Sequence, residues 1–286
     1  MSVVIGTRGS ALALAQARIV ASKLDEPAEL RVIRTAGDGT TGPFSTLGDG
    51  VFVNAIELAL ARGEVDVAVH SLKDLPTAER DELVIAAIPE REDPRDVLIT
   101  RERGGLASLP PNAVVGTSSP RRAAFIRALA PGVTTREIRG NVDTRLRKVT
   151  GGAYDATVLA LAGLRRLGFS VNDAEILTLR QCPPAPGQGA LAVQCRRADV
   201  ALVARLARLD HGPTRIAVTA ERALLRALGA SCTLALGAYG RSEDGTMILE
   251  AAFATGDGVV RASARGHDPV EIALRAAASL REPARA

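Results

Sequence analysis

Short apolar runs alternate with amphipathic stretches along the first third of the chain. VVIGT reads as a buried strand, and SALALAQARIVASKL after it has helical spacing with Ser10 placed as a cap. ELRVIRT, VDVAVH and LVIAAIP have strand-like composition, and VFVNAIELALARG among them is helical. This alternation predicts an α/β unit on a mainly parallel sheet. The pattern changes at EREDPRDVLIT, where AVVGT, SPRRAAFIRALA, TTREI, VDTRLRKV and DATVLALAGLRRLG begin a second α/β series. QCPPAPGQGALAVQC is a Pro/Gly-rich crossover ending in an apolar strand, the composition of a linker or hinge. PTRIAVTAERALLRALG is an amphipathic helix closed by Gly229, and the strand-like MILEAAFAT and VVRASARG with the helix PVEIALRAAASL predict a small α+β tail. No internal repeat is apparent in the sequence.

With 286 residues, 47% of them hydrophobic and 24% charged, the chain can form two or three domains with real cores. Its N-terminus lacks a basic start followed by a long apolar run, and no stretch approaches the ~20 apolar residues of a membrane span. The expectation is a cytoplasmic enzyme or binding protein without a membrane partner. Cys182, Cys195 and Cys232 are odd in number and widely spaced, which argues against disulfides and structural zinc. His70, His211 and His267 are scattered, so neither a metal site nor a nucleophile relay is expected.

Charge changes the picture. Between Thr117 and Lys148, eight basic residues face only Glu137 and Asp143, a net +6 in a chain whose formal charge is +4. Such a patch serves a polyanionic ligand or is a solvated face. Nucleic acid is disfavoured, because no Trp, two Tyr and five Phe are too few to stack bases. The excess is mostly arginine, whose planar fork suits carboxylates. GTRGS, HSLKDLP, GTSSPRR and RGNVDTR all come after predicted strands, where open α/β sheets gather ligand groups. Facing one cleft, these loops would make a polyanion site. Asp74 in HSLKDLP is either a turn or capping residue or a carboxylate that protonates a leaving group or stabilises a developing cation. Cys232, after a helix-stop glycine, is expected on a loop.

IGTRGSALALAQ, VHSLKDLP, EREDPRDVLI, VGTSSPRR, RGNVDTRL, YDATVLALAGLRRLG, PPAPGQGALAVQCR and TAERALLRALGASC, in this order, closely resemble the porphobilinogen deaminase (hydroxymethylbilane synthase) family from about residue 3 to residue 240. The resemblance implies two periplasmic-binding-protein-like α/β domains joined by a hinge, 1–93 with 188–206 and 98–184, and an α+β domain at 212–286. It implies a transferase of tetrapyrrole and heme biosynthesis, a cytoplasmic monomer that joins four porphobilinogen molecules head to tail into linear hydroxymethylbilane with release of ammonia. Growth starts on a covalent dipyrromethane primer, held by a thioether to the cysteine matching Cys232, and Asp74 matches the essential carboxylate. By the same resemblance Lys73, Ser119, Arg121, Arg122 and Asp74 contact the cofactor, and Arg8, Ser10, Arg139, Arg145, Arg166 and Gln188 contact substrate. Primer and four added rings carry roughly twelve carboxylates, which charge-assisted bidentate bonds can hold. Asp49 and Asn54 stand where many members carry lysine, Pro120 replaces a frequent apolar residue and should start a helix, and CTLALG lacks a common proline. The competing reading is a two-domain anion-binding or ligand-sensing protein without catalysis, which needs neither Cys232 nor Asp74.

Overall fold

The computed structural model describes residues 2–35, 53–78, 80–102, 104–229, 234–255 and 258–281. In chain order the elements are β1 (Val3–Thr7), α1 (Ala11–Ala21), β2 (Ala28–Val32), α2 (Asn54–Ala61), β3 (Val67–Ser71), β4 (Leu83–Ala87), β5 (Asp96–Thr100), β6 (Val114–Gly116), α3 (Pro120–Leu129), β7 (Thr134–Arg136), α4 (Val142–Thr150), β8 (Ala156–Ala160), α5 (Leu161–Arg166), β9 (Glu175–Ile176), β10 (Leu191–Arg196), α6 (Val200–Leu206), α7 (Gly212–Ala227), β11 (Leu236–Glu243), β12 (Thr246–Thr255), β13 (Gly258–Gly266) and α8 (Pro269–Arg281). They fall into two compact units, Met1–Glu92 with Gly189–Arg215 and Asp93–Gln188 with Ile216–Ala286. Asn54 opens α2 and is exposed, whereas Asp49 lies outside the described residues.

The first unit has a five-stranded sheet in the order β2-β1-β3-β10-β4. β1 pairs in parallel with β2 and β3, but β10 runs antiparallel to both β3 and β4. The sheet is therefore mixed, because its fourth strand arrives from the far side of the Pro/Gly crossover. Val67, Val69, Val193 and Cys195 pack under α1 and α6, while Ala68 packs under Ile56, Ala59 and Leu60 of α2. Covered on both faces, these strands read as unbroken apolar runs. Gly189, where the chain re-enters this unit, has φ +88, and a Cβ there would stand 2.2 Å from the Glu92 carbonyl, so glycine is required.

The second unit repeats the scheme as β7-β6-β8-β5-β9, with β6 parallel to β7 and β8, and β5 antiparallel to β8 and β9. Two sheets with the same pattern of parallel and antiparallel pairing thus stand on sequences without a detectable repeat. A three-stranded antiparallel sheet, β11-β12-β13, comes next in the same unit. β11 is absent from the sequence-based expectation. It pairs with β12 through Asp244 (φ 48) and Gly245 (φ 75), positive φ at both central residues as a type I′ hairpin needs. α7 and α8 supply Leu224, Ile272, Ala276 and Leu280 to its core. Glu221 of α7 is fully buried and accepts from the backbone N–H groups of Gly187 at 2.7 Å and Gly240 at 2.8 Å. It ties the crossover to β11. Among the described residues no helix is long and apolar enough to cross a membrane.

Candidate active site

In the first unit β1 and β3 pair in parallel, Ile5 with Val67, so the turns that leave the two strands reach the same sheet edge. After β1 the chain turns through Arg8 and Gly9 to Ser10, whose hydroxyl accepts from Ala13 N at 3.3 Å and caps α1. One turn on, buried Gln16 donates Nε2 to Ser71 Oγ at 2.8 Å. After β3, Leu72–Asp74 form a single 3-10 turn. Leu72 is buried and donates its N–H to the Ala190 carbonyl, which fixes the turn and carries Lys73 and Asp74 outward. Arg8, Ser10, Gln16, His70, Ser71 and Asp74 line one cavity of about 70 Å³. Asp74 is the last residue of this turn and not its cap, and its side chain is exposed where it lines the cavity. His70, one of the three histidines scattered along the sequence, is 5% exposed, and burial lowers its pKa to about 4 against the opposing effects of Gln194 and Asp74. The ring is neutral at pH 7.

In the second unit β6, β7 and β8 run in parallel and deliver the loops after them to one edge. β5 is antiparallel to β8, with Asp96 opposite Ala160, so its first residue stands at that same edge. Ser119 caps α3, accepting from Arg122 N at 3.4 Å, and Pro120 begins the helix as expected. Arg121 and Arg122 on its first turn are 4% and 7% exposed. Both converge on the fully buried Asp96. Arg121 Nη2 donates to Oδ2 at 2.7 Å, and Arg122 Nη2 and Nε donate to Oδ1 at 2.7 and 3.1 Å. Gln188 Nε2 also reaches Oδ1, at 2.9 Å. Burial alone would raise the Asp96 pKa, but the two guanidiniums overcome it and hold the carboxyl far below the usual range. Asp96 lies inside the EREDPRDVLI stretch, yet its partners are 25 and 26 residues away, so no local spacing marks it.

The other basic residues divide. Arg136 stacks on the Tyr154 ring at 4.4 Å, Arg147 pairs with Asp143 and Arg139 with Glu137. Arg145 donates Nε to the Gly140 carbonyl at 2.8 Å, and its pKa falls to about 10, first through burial and then through the charge of Arg122. Arg166 is half-buried at the end of α5. Asp96 offsets one positive charge among Arg121, Arg122 and Arg145, leaving two partly withdrawn from water. Such a surplus calls for an acidic ligand, and a dipyrromethane bearing acetate and propionate groups fits it. Cys232 lies outside the described residues. Among those described, no cluster of His, Cys, Asp or Glu could hold a metal ion.

Fold and site together define an α/β protein of two five-stranded sheets and a smaller antiparallel one, with a carboxylate-bearing cavity in one unit and a buried arginine cluster around Asp96 in the other. The family profile for porphobilinogen deaminase, dipyromethane cofactor binding domain, matches residues 3–204, and that for the porphobilinogen deaminase C-terminal domain matches residues 215–282. The chain belongs to the porphobilinogen deaminase family. It is 50% identical over 276 residues to the porphobilinogen deaminase of Mycolicibacterium paratuberculosis, covering 92% of this chain and 88% of that one. With the Nocardia farcinica porphobilinogen deaminase it is 49% identical over 292 residues, covering 97% and 84%. Among solved structures, a YaeC-family lipoprotein from Enterococcus faecalis is 15% identical, with a TM-score of 0.43 over 73% of this chain and 90% of that one.

Proposed function

We propose that this chain joins four porphobilinogen molecules head to tail in tetrapyrrole biosynthesis, releasing one ammonia at each joining and freeing linear hydroxymethylbilane by hydrolysis. The observation that carries this is the two-domain family match over residues 3–204 and 215–282, and the placement of Asp74 at the cavity agrees with it. Dipyrromethane, tethered through Cys232, supplies a nucleophilic pyrrole carbon and keeps each addition on an attached partner. Arg145 and the net positive charge that Arg121 and Arg122 keep beside Asp96 hold its carboxylates and those of added rings. Gln188 acts largely through Asp96, and Arg8, Ser10, Lys73, Ser119, Arg139 and Arg166 add polar contacts. When the aminomethyl C–N bond of porphobilinogen breaks, its electron pair leaves with nitrogen as ammonia. The Asp74 carboxylate offsets the positive charge left on the pyrrole-methylene unit.

The same reading makes the protein a cytoplasmic monomer with porphobilinogen as its small-molecule partner and neither nucleic-acid nor membrane partners. Sedimentation of the purified protein checks the monomer. Incubation with porphobilinogen should release four ammonia per linear tetrapyrrole. Binding without ammonia release would overturn the reading in favour of a ligand-sensing protein.

A further inference from the structure

Behind the Asp74 cavity a line of buried polar side chains runs along one face of the first sheet. His70 of β3 pairs with Ala192 of β10, so Gln194, two residues on, shares its face and lies within diagonal reach. Gln194 is 1% exposed and donates Nε2 to Oε1 of Glu57 at 3.0 Å. Glu57, on the buried side of α2, takes Nε of Arg80 on its other oxygen at 3.1 Å. At the cavity end, His70 Nε2 and Gln194 Oε1 are both buried without a hydrogen-bond partner. The Gln194 amide cannot be reversed, because a carboxylate paired with arginine accepts only. Its remaining atom toward His70 is an acceptor. A neutral imidazole satisfies both orphans in one way, with the proton on Nε2 and the lone pair on Nδ1.

Resting on the proposed function, we infer that His70 contacts substrate: held as the Nε2–H tautomer by Glu57 through Gln194, it offers Nδ1 as acceptor to the porphobilinogen aminomethyl nitrogen. His70 lines the cavity with Asp74, and with Nε2 turned to Gln194 the lone pair on Nδ1 is the polar atom the ring has left. Neutrality suits the task. The charge acting on the ring is Asp74 from the 3-10 turn, with Arg8 lining the same cavity, and burial outweighs Asp74 and Gln194, with the pKa at about 4. A protonated ring would set a second cation against the substrate ammonium. A neutral one adds a hydrogen bond and leaves the counter-charge to Asp74. No proton moves to His70: the ammonium leaves as ammonia with its own three hydrogens.

The test compares wild type with His70→Phe, His70→Asn and Gln194→Met. Toward porphobilinogen, His70→Phe should lose about ten- to a hundredfold in kcat/KM, the worth of a hydrogen bond to a charged group. His70→Asn, whose amide oxygen can take the place of Nδ1, should recover part of that loss. Nitrogen-15 spectra of the histidines, assigned by the signal missing from His70→Phe, should show a neutral Nε2–H ring at pH 7 in wild type and a tautomer mixture in Gln194→Met. If His70→Phe does not fold, Gln194→Met decides alone: a changed tautomer balance with lower kcat/KM supports the inference, and no change in either overturns it. A folded His70→Phe at wild-type kcat/KM, or a His70 ring that is charged or Nδ1-protonated at pH 7, also overturns it. Absence of ammonia release by wild type defeats the functional reading and the substrate contact with it. Normal wild-type turnover beside unchanged variants defeats only the His70 inference.

Discussion

Asp96 accepts Arg121 on one carboxylate oxygen and Arg122 on the other, each at 2.7 Å. Consecutive helical residues point about 100° apart, so the two guanidiniums can meet on one group only beneath the first turn of α3, where β5 begins. The family resemblance puts both arginines at carboxylates of the cofactor. In the structure they first hold a carboxylate of the chain itself, and only the net positive charge of the cluster is offered outward.

Replacing Asp96 by Asn should therefore be strongly destabilising, by about 3–5 kcal/mol, since it strands two buried guanidiniums. The folded-state pKa of Asp96 is depressed, so the native state binds fewer protons than the unfolded chain, whose carboxyl titrates near ~3.9. Its contribution is present above that pH and lost as pH falls through the folded value. Urea unfolding of both proteins should show a gap at pH 7 that narrows steadily below about pH 4.

Arg121→Leu and Arg145→Leu should differ in kind. The first removes a partner of Asp96 and should lower Tm by several degrees together with primer loading. The second removes a partly buried cation whose Nε bonds a backbone carbonyl, and should leave Tm near wild type while slowing substrate addition. Thermal melts, with intact masses after limited porphobilinogen, separate them. Equal Tm losses in both would argue against an anion site at Arg145.

Asp74→Asn should keep the fold and lose nearly all turnover, because the amide cannot balance the developing charge. Asp74→Glu keeps the charge but moves it by ~1 Å, a displacement that costs on the order of 100-fold. Single-turnover ammonia release on both variants checks the order. A fully active Asp74→Asn would return this residue to a structural role.

Purified protein should weigh one dipyrromethane unit more than its sequence. Cys232→Ser should lack that mass, while Cys182→Ser and Cys195→Ser should retain it, since both of these thiols are buried and burial pushes their pKa values up, to about 12 and about 11. A fully active wild type without the adduct would rule out the tether.

Strands of mainly apolar composition, such as β1, β3 and β10, were legible because burial on both faces suppresses the alternation of a half-exposed strand. β11 was not: LGAYGRSE mixes glycine and charge, and its pairing depends on the Asp244–Gly245 turn. The antiparallel sense of β5 and β10 also escaped the local pattern, since direction is set by where the chain has been. Of the site, Asp74 and the arginines stood out as charged residues after strands. Asp96, Gln194 and Glu57 did not, because their partners lie 23 to 137 residues away.

The position of β10 has a consequence for synthesis on the ribosome. It is the partner of both β3 and β4, and it begins about a hundred residues after β4 ends. Until then a nascent chain holds β3 with one open edge and β4 with none of its ladder bonds, while β5 to β9 are already complete. The later-encoded sheet can thus close before the earlier one, against the usual N-terminal-first order. A chain ending before Gly189 should present the open edge of β3 and the unpaired apolar strand β4, the kind of edges that invite aggregation and chaperone capture.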